Sequence, residues 1–174
     1  MDDEKGRGNM NLTEVFQQEG KEVKKEIPFP FKTFRGNEIK NEPMVTLVLR
    51  NQGKGKVEIE GKADLEFIFP CDRCLTEVTE CLHLEFSRCV YAPEMITEEE
   101  IREEQLFIHE YEMDLQMLLE EEMQLAWPSK ILCNEECKGI CKKCGHNLNE
   151  GECGCDEFVP DIRFANLMDI FNGK

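Results

Sequence analysis

Residues Cys133 to Cys155 read CNEECKGICKKCGHNLNEGECGC. The run places Cys133, Cys137, Cys141, Cys144, Cys153 and Cys155, six of the chain's ten cysteines, within 23 residues. Ile140 and Leu148 are its only aliphatic side chains, so apolar burial does not hold it in shape. Tetrahedral thiolate coordination of zinc is the usual solution at such spacing. Cys141-Lys142-Lys143-Cys144-Gly145 is a CxxCG knuckle, in which two sulfurs three positions apart can bind one ion from a tight turn. Gly145 is free to take the positive φ that often follows. Cys153-Gly154-Cys155 offers a second pair. Four ligands in two close pairs make a closed structural site, with no open position for catalysis.

Working outward, a further pair stands at Cys71-Asp72-Arg73-Cys74, after the strand-like run Phe67-Ile68-Phe69-Pro70. If Cys141, Cys144, Cys153 and Cys155 fill one site, Cys133 and Cys137 remain. A second zinc joining Cys71, Cys74, Cys133 and Cys137 would then staple the tail to the sheet. Whether there is one ion or two, and how the cysteines pair, stays open at this level. His146 is an alternative ligand beside the knuckle. Cys81 and Cys89 are expected as ordinary buried or half-buried thiols. Two other uses of the cysteines fit less well. The opening MDDEKGRGNM lacks the apolar region of a signal peptide, and no run of 18 apolar residues is present, so a cytoplasmic chain with reduced thiols is expected. A redox CxxC wants its first Cys at a helix N-terminus after a strand, whereas this knuckle lies between Gly139 and Gly145.

Of the 174 residues 40 % are hydrophobic and 33 % charged, and the net charge is −16. The core is therefore modest, and metal staples make physical sense. The charge is uneven. Residues 21–62 carry ten Lys/Arg against six Asp/Glu, while residues 94–122 carry one Arg against twelve acids. An acidic protein is repelled by bulk nucleic acid and by anionic membrane. RNA contact must then be local, through the basic stretch, with Lys24, Lys25, Lys54 and Lys56 as the candidate residues. The same lysines among acids also read as an ordinary solvated surface. The acidic stretch suits a basic partner such as a ribosomal protein, or an exposed helical linker.

Period-two alternation marks strands over Met44–Arg50, Val57–Phe69 and Val78–Val90, with Gly61 expected at a bulge or bend. Asp114 is an N-cap for a helix from Leu115 to Ala126, with Leu115, Leu118, Leu119, Met123 and Ala126 on one face and Glu120–Glu122 taken to include the wet face. Residues 97–105 and Ile162–Phe171 read as further helices. The fold class is α+β: an antiparallel sheet or small open barrel packed against one main amphipathic helix, with a Cys-rich zinc-binding segment at the C-terminus. The expected organisation is a disordered extension at 1–11, a sheet-plus-helix domain at 12–128, and the Cys-rich segment with its helix at 129–174. No phosphate loop, GxSxG or acid–base pair stands out; His83 reads as a surface residue opposite the apolar set of its strand, and His109 shows no partner.

With PCDRCL at Pro70–Leu75, DLQMLLEEEMQLAWP at Asp114–Pro128, the Cys133–Cys155 run, and DIRFANLMDIF at Asp161–Phe171, the chain resembles the YceD family of large-ribosomal-RNA accumulation proteins from about Leu12 onward. It departs in the residues before Leu12 and in Pro160-Asp161-Ile162-Arg163, where an Asp-Pro-Arg order is common; neither touches the cysteines. The resemblance implies a bacterial or plastid protein needed for large-subunit ribosomal RNA to accumulate, and no enzymatic activity. The expected function is a zinc-stapled factor for large-subunit assembly that binds precursor RNA or a ribosomal protein, without a membrane or small-molecule substrate. The alternatives are an acidic adaptor for a basic ribosomal protein with no RNA contact of its own, and an enzyme of unknown substrate.

Overall fold

The computed structural model describes residues 8–96 and 105–155. The chain divides into two compact units, Met1–Ile68 with Thr79–Ser129, and Phe69–Val78 with Lys130–Lys174. The second unit thus takes in the segment that carries Cys71 and Cys74. The helices expected over 97–105 and Ile162–Phe171 lie outside the described residues, apart from Gln105, which sits in a turn.

The strands are β1 (Asn9–Asn11), β2 (Glu22–Pro28), β3 (Thr33–Phe34), β4 (Asn37–Glu38), β5 (Met44–Gly53), β6 (Lys56–Pro70), β7 (Glu77–Tyr91), β8 (Ile108–His109) and β9 (Glu112–Asp114), all in the first unit except the last two residues of β6 and the first two of β7. They form a four-stranded sheet of order β2-β5-β6-β7, a three-stranded sheet β1-β9-β8 and the pair β3-β4. The β2–β5 and β5–β6 pairs are antiparallel, with Leu49 opposite Val23 on one side and Ile59 on the other. Alternation decides the faces. Val57, Ile59, Ala63, Leu65, Phe67 and Phe69 of β6 are buried, as are Leu84, Phe86 and Val90 of β7.

Gly61 does not bulge. It pairs with Leu47 in an unbroken register, and the shift falls between Asn51 and Gly53. A Cβ on Gly61 would lie 2.1 Å from Cζ of Phe86, so glycine is needed there to admit the aromatic ring. At the true irregularity, the buried Asn51 is a polar hub. Its Nδ2 donates to the carbonyls of Val15 (2.7 Å) and Phe16 (3.0 Å), and its Oδ1 accepts from the Gly53 N–H (2.7 Å). It thereby ties helix α1 (Thr13–Gln17) to the end of β5.

The N-terminal segment expected to be disordered includes a paired strand. Asn9, Met10 and Asn11 lie opposite Asp114, Met113 and Glu112. Met10 and Leu12 are buried, and their apolar area anchors otherwise polar chain. Helix α2 (Leu115–Ala126) starts where expected: the Asp114 carboxylate accepts from the Met117 N–H at 3.0 Å, and Pro128 follows its end. Its buried face is Leu115, Leu118, Leu119, Glu122 and Met123. Glu122 corrects the reading of a wholly wet acidic face. It lies four residues after Leu118 on the apolar stripe, and its carboxylate accepts a hydrogen bond from Arg88 Nε of β7. Trp127 closes the core against Phe34 and Phe67, with ring centroids 5.0 and 5.3 Å away.

Candidate metal centres

Phe69–Val78 contains a knuckle. The Leu75 N–H donates to the Cys71 carbonyl (2.9 Å), closing a turn that sets Cys71 and Cys74 side by side. Residues from Lys130 meet it: Asp72 N–H donates to the Ile131 carbonyl (2.9 Å), and Ile131 N–H donates back to Asp72 Oδ2 (2.7 Å). Arg73 Nη1 donates to the carbonyl of Cys137 at 2.8 Å, and Arg73's own carbonyl accepts from Ile140 N–H at 3.1 Å. These contacts gather the sulfurs of Cys71, Cys74, Cys133 and Cys137 within 4.8 Å of one another.

The donor set fits a tetrahedral ion. Cys71 and Cys137 Sγ atoms are 3.8 Å apart, and Cys74 and Cys133 Sγ atoms 3.5 Å apart. A tetrahedron with Zn–S bonds of about 2.3 Å has edges of about 3.8 Å. A disulfide would need about 2.05 Å, and all ten cysteines are free. Cys133 N–H points at Cys71 Sγ (3.3 Å) and Asn149 Nδ2 at Cys137 Sγ (3.3 Å), the donors that stabilise thiolate ligands.

The second tetrad is local. Cys141, Cys144, Cys153 and Cys155 also place their sulfurs within 4.8 Å of one another. Gly145 takes φ +75° and its N–H donates to the Cys141 carbonyl at 2.9 Å. Lys143 N–H points at Cys141 Sγ (3.4 Å). His146 is not in the group; its carbonyl accepts from Cys141 N–H at 2.8 Å. A cavity of about 390 Å³ beside this tetrad is lined in part by Lys138, Lys142, Lys143, Ile140 and Leu148.

Both tetrads polarise their thiols. Burial raises Cys71, but N–H groups of Arg73, Cys74 and Cys133 outweigh it and bring the thiol down to about 6. Cys141 is held at about 6 by the N–H groups of Cys144 and Lys143. Cys133 keeps its proton up to about 12 because Cys137 and Cys74 accept its hydrogen bond, and Cys155 does the same toward Cys144 and Cys153. Such proton-sharing sulfur clusters exchange protons for a cation.

Cys81 and Cys89 are exposed, not buried, because odd-numbered residues of β7 face outward. Burial and the carboxylates of Asp64, Glu66 and Glu80 push the Cys81 thiol up. His83 is exposed, as its place on the strand predicts, and Asp64 of β6 is its partner: their Oδ1 and Nδ1 are 2.6 Å apart. Strand parity puts both on the outward face, but only the register of β6 with β7 brings them together.

The candidate RNA-contacting lysines are not gathered in one patch. Lys24 and Lys25 lie opposite Val48 and Leu47. Lys54 is six residues further along from Val48, about 20 Å at strand rise. Lys24 pairs with Glu26 at 3.5 Å, and Lys56 Nζ lies 6.0 Å from the Tyr91 ring. Lys21, Lys40, Arg50 and Lys62, also in the basic stretch, contact Glu14, Glu38, Glu22 with Glu60, and Glu85 respectively.

Fold and site together define a class: a mostly antiparallel β protein with few helices, carrying two cysteine tetrads that can each hold a metal ion. Residues 59–171 match the family model described as large ribosomal RNA subunit accumulation protein YceD. That span exceeds half of the 174 residues, and the chain belongs to this family. It takes in both tetrads and α2, and leaves out Lys24, Lys25, Lys54 and Lys56. No curated protein and no solved structure matches the chain. The family description concerns the large ribosomal subunit and names no reaction. Among the described residues, no helix is long and apolar enough to cross a membrane.

Proposed function

We propose that this protein serves accumulation of large-subunit ribosomal RNA in the cytoplasm as a non-enzymatic binding factor whose two tetrads are zinc staples. The family membership carries this reading, and the sulfur geometry supports the metal. Precursor ribosomal RNA is the partner, met through separate lysines of the 21–62 stretch. There Lys25 and Lys54 make no ion pair among the described residues, so their charge is available to phosphate at separate points of the stretch, while Lys24 is shared with Glu26. Closed four-sulfur sites supply no open coordination position, which favours a structural role for the metal.

A second reading rests on charge. Net −16 for the chain, with twelve acids in residues 94–122, suits an adaptor that shields a basic ribosomal protein and touches no RNA.

Copurification separates them. The tagged wild type should carry two zinc ions per chain and enrich large-subunit RNA. A Cys141→Ser, Cys144→Ser double variant should lose one zinc and most of the RNA. Lys24, Lys25, Lys54 and Lys56 changed together to Gln should weaken RNA binding and flatten its salt dependence. If these changes leave RNA untouched while Glu98, Glu99, Glu100 and Glu103 changed to Gln abolish a ribosomal-protein contact, the adaptor reading replaces the first. A chain purified without metal, RNA or ribosomal protein overturns both.

A further inference from the structure

Asp64, Cys81 and His83 form a third donor group, on the outward face of the β6–β7 part of the sheet. Cys81 and His83 are two residues apart on one strand and therefore share a face. Asp64 comes from the neighbouring strand. His83 Nδ1 is 2.6 Å from Asp64 Oδ1 and 4.0 Å from Cys81 Sγ, and the three ligand atoms lie within 4.8 Å of one another. All three residues are exposed.

We propose that Asp64, Cys81 and His83 form an exchangeable surface site for a divalent first-row transition ion of the zinc type, completed by solvent. One carboxylate oxygen, one sulfur and one imidazole nitrogen are a borderline donor set. Zinc and cobalt accept it, whereas magnesium and calcium require oxygen. Ligand bonds of about 2.0–2.3 Å at a tetrahedral angle give donor separations of about 3.3–3.6 Å. The observed 2.6 and 4.0 Å bracket that range, and exposed side chains on a fixed backbone are free to change rotamer. Three protein ligands leave a position open, which sets this site apart from the closed tetrads. A groove of about 370 Å³ bordered by Thr46, Lys62, Asp64, His83 and Glu85 leaves room for the solvent ligand. Lys62 does not oppose the ion strongly, since its ammonium is paired with Glu85 at 2.5 Å.

The competing use of Cys, His and Asp is a nucleophile relay. That arrangement needs the thiol and the carboxylate on opposite ring nitrogens. Here both face Nδ1, as donors converging on one ion do.

Cobalt is the probe. The protein is first loaded with two equivalents of zinc, cleared of excess, and titrated with Co²⁺ under reducing conditions. One further equivalent should bind, with thiolate-to-cobalt charge-transfer absorption. Cys81→Ser should abolish that absorption, and His83→Ala and Asp64→Asn should each weaken binding at least tenfold, all three keeping two zinc ions. The proposal is overturned if no third equivalent binds. It is equally overturned if the absorption is undiminished in Cys81→Ser, because the cobalt would then sit in the tetrads.

Discussion

Leu75 and Gly145 occupy the same place in two different knuckles. Each follows the second cysteine of a CxxC pair, each has a left-handed backbone (φ 63° and 75°), and each donates its N–H to the carbonyl of the first cysteine at 2.9 Å. A branched side chain is strained in this conformation by roughly 1–2 kcal/mol, and glycine is not. Gly145→Leu should therefore weaken zinc binding at the local tetrad by about tenfold, while Leu75→Gly should leave the other at least as tight. Competition with a chromophoric chelator reads both.

Asn149 reaches from the loop of one tetrad to a sulfur of the other. Its Nδ2 donates to Cys137 Sγ (3.3 Å), and its Oδ1 accepts from the Lys138 N–H (2.8 Å). Outer partners of this kind are worth about tenfold to a hundredfold in metal affinity. Asn149→Ala should lower zinc affinity by about that factor at the tetrad of Cys71, Cys74, Cys133 and Cys137, with one equivalent released early in a chelator titration and the other unchanged.

Metal uptake should release protons at neutral pH. Cys133 and Cys155, held up to about 12, must give theirs up on coordination, whereas Cys71 and Cys141, at about 6, are already thiolates. Apparent affinity then rises with pH through neutrality and falls more steeply once pH drops below about 6. The sign for folding agrees: the lowered thiols contribute stability that is present above the unfolded thiol value and lost as pH falls through about 6. Calorimetry in buffers of different ionisation heat should count the protons, and a pH-independent affinity would contradict the scheme.

Gly61→Ala should destabilise the sheet by about 1–3 kcal/mol, since its methyl would overlap the Phe86 ring. Pairing the change with Phe86→Leu should restore part of the loss. Urea unfolding of the four proteins of that cycle measures the coupling.

The long strands β5, β6 and β7 were legible because period-two patterning is a one-dimensional property of the chain. Asp114 announced α2 for the same reason: a cap and its helix are neighbours in sequence. The cysteine pairs were legible as pairs, and matching the two leftover pairs gave the same two sets of four that the structure gathers; what stayed open was whether the second set meets at all, since that depends on where residue 130 onward returns. The misses share that cause. Gly61 looks like a bulge until Phe86 is seen beside it, and Glu122 looks solvated until Arg88 arrives from 34 positions away. Asn51 and Asn149 carry no local pattern at all; their value lies in the backbone and sulfur groups that folding presents to them. Asn9–Asn11 is too polar to read as a strand, and only the burial of Met10 reveals it.

The two tetrads also differ in how far apart along the chain their halves lie, and synthesis turns that distance into an order of events. Cys141, Cys144, Cys153 and Cys155 come off the ribosome almost together. Cys71 and Cys74 emerge some sixty residues before Cys133, a separation that takes several seconds or more at about 5–20 residues per second. Bringing the distant halves together also carries an extra loop-closure entropy of about 1.7 kcal/mol relative to the short loop. During that interval a nascent chain exposes an unmatched CxxC pair, open to any passing metal or oxidant. Completion of the Cys71 set therefore waits until Cys133 and Cys137 have emerged.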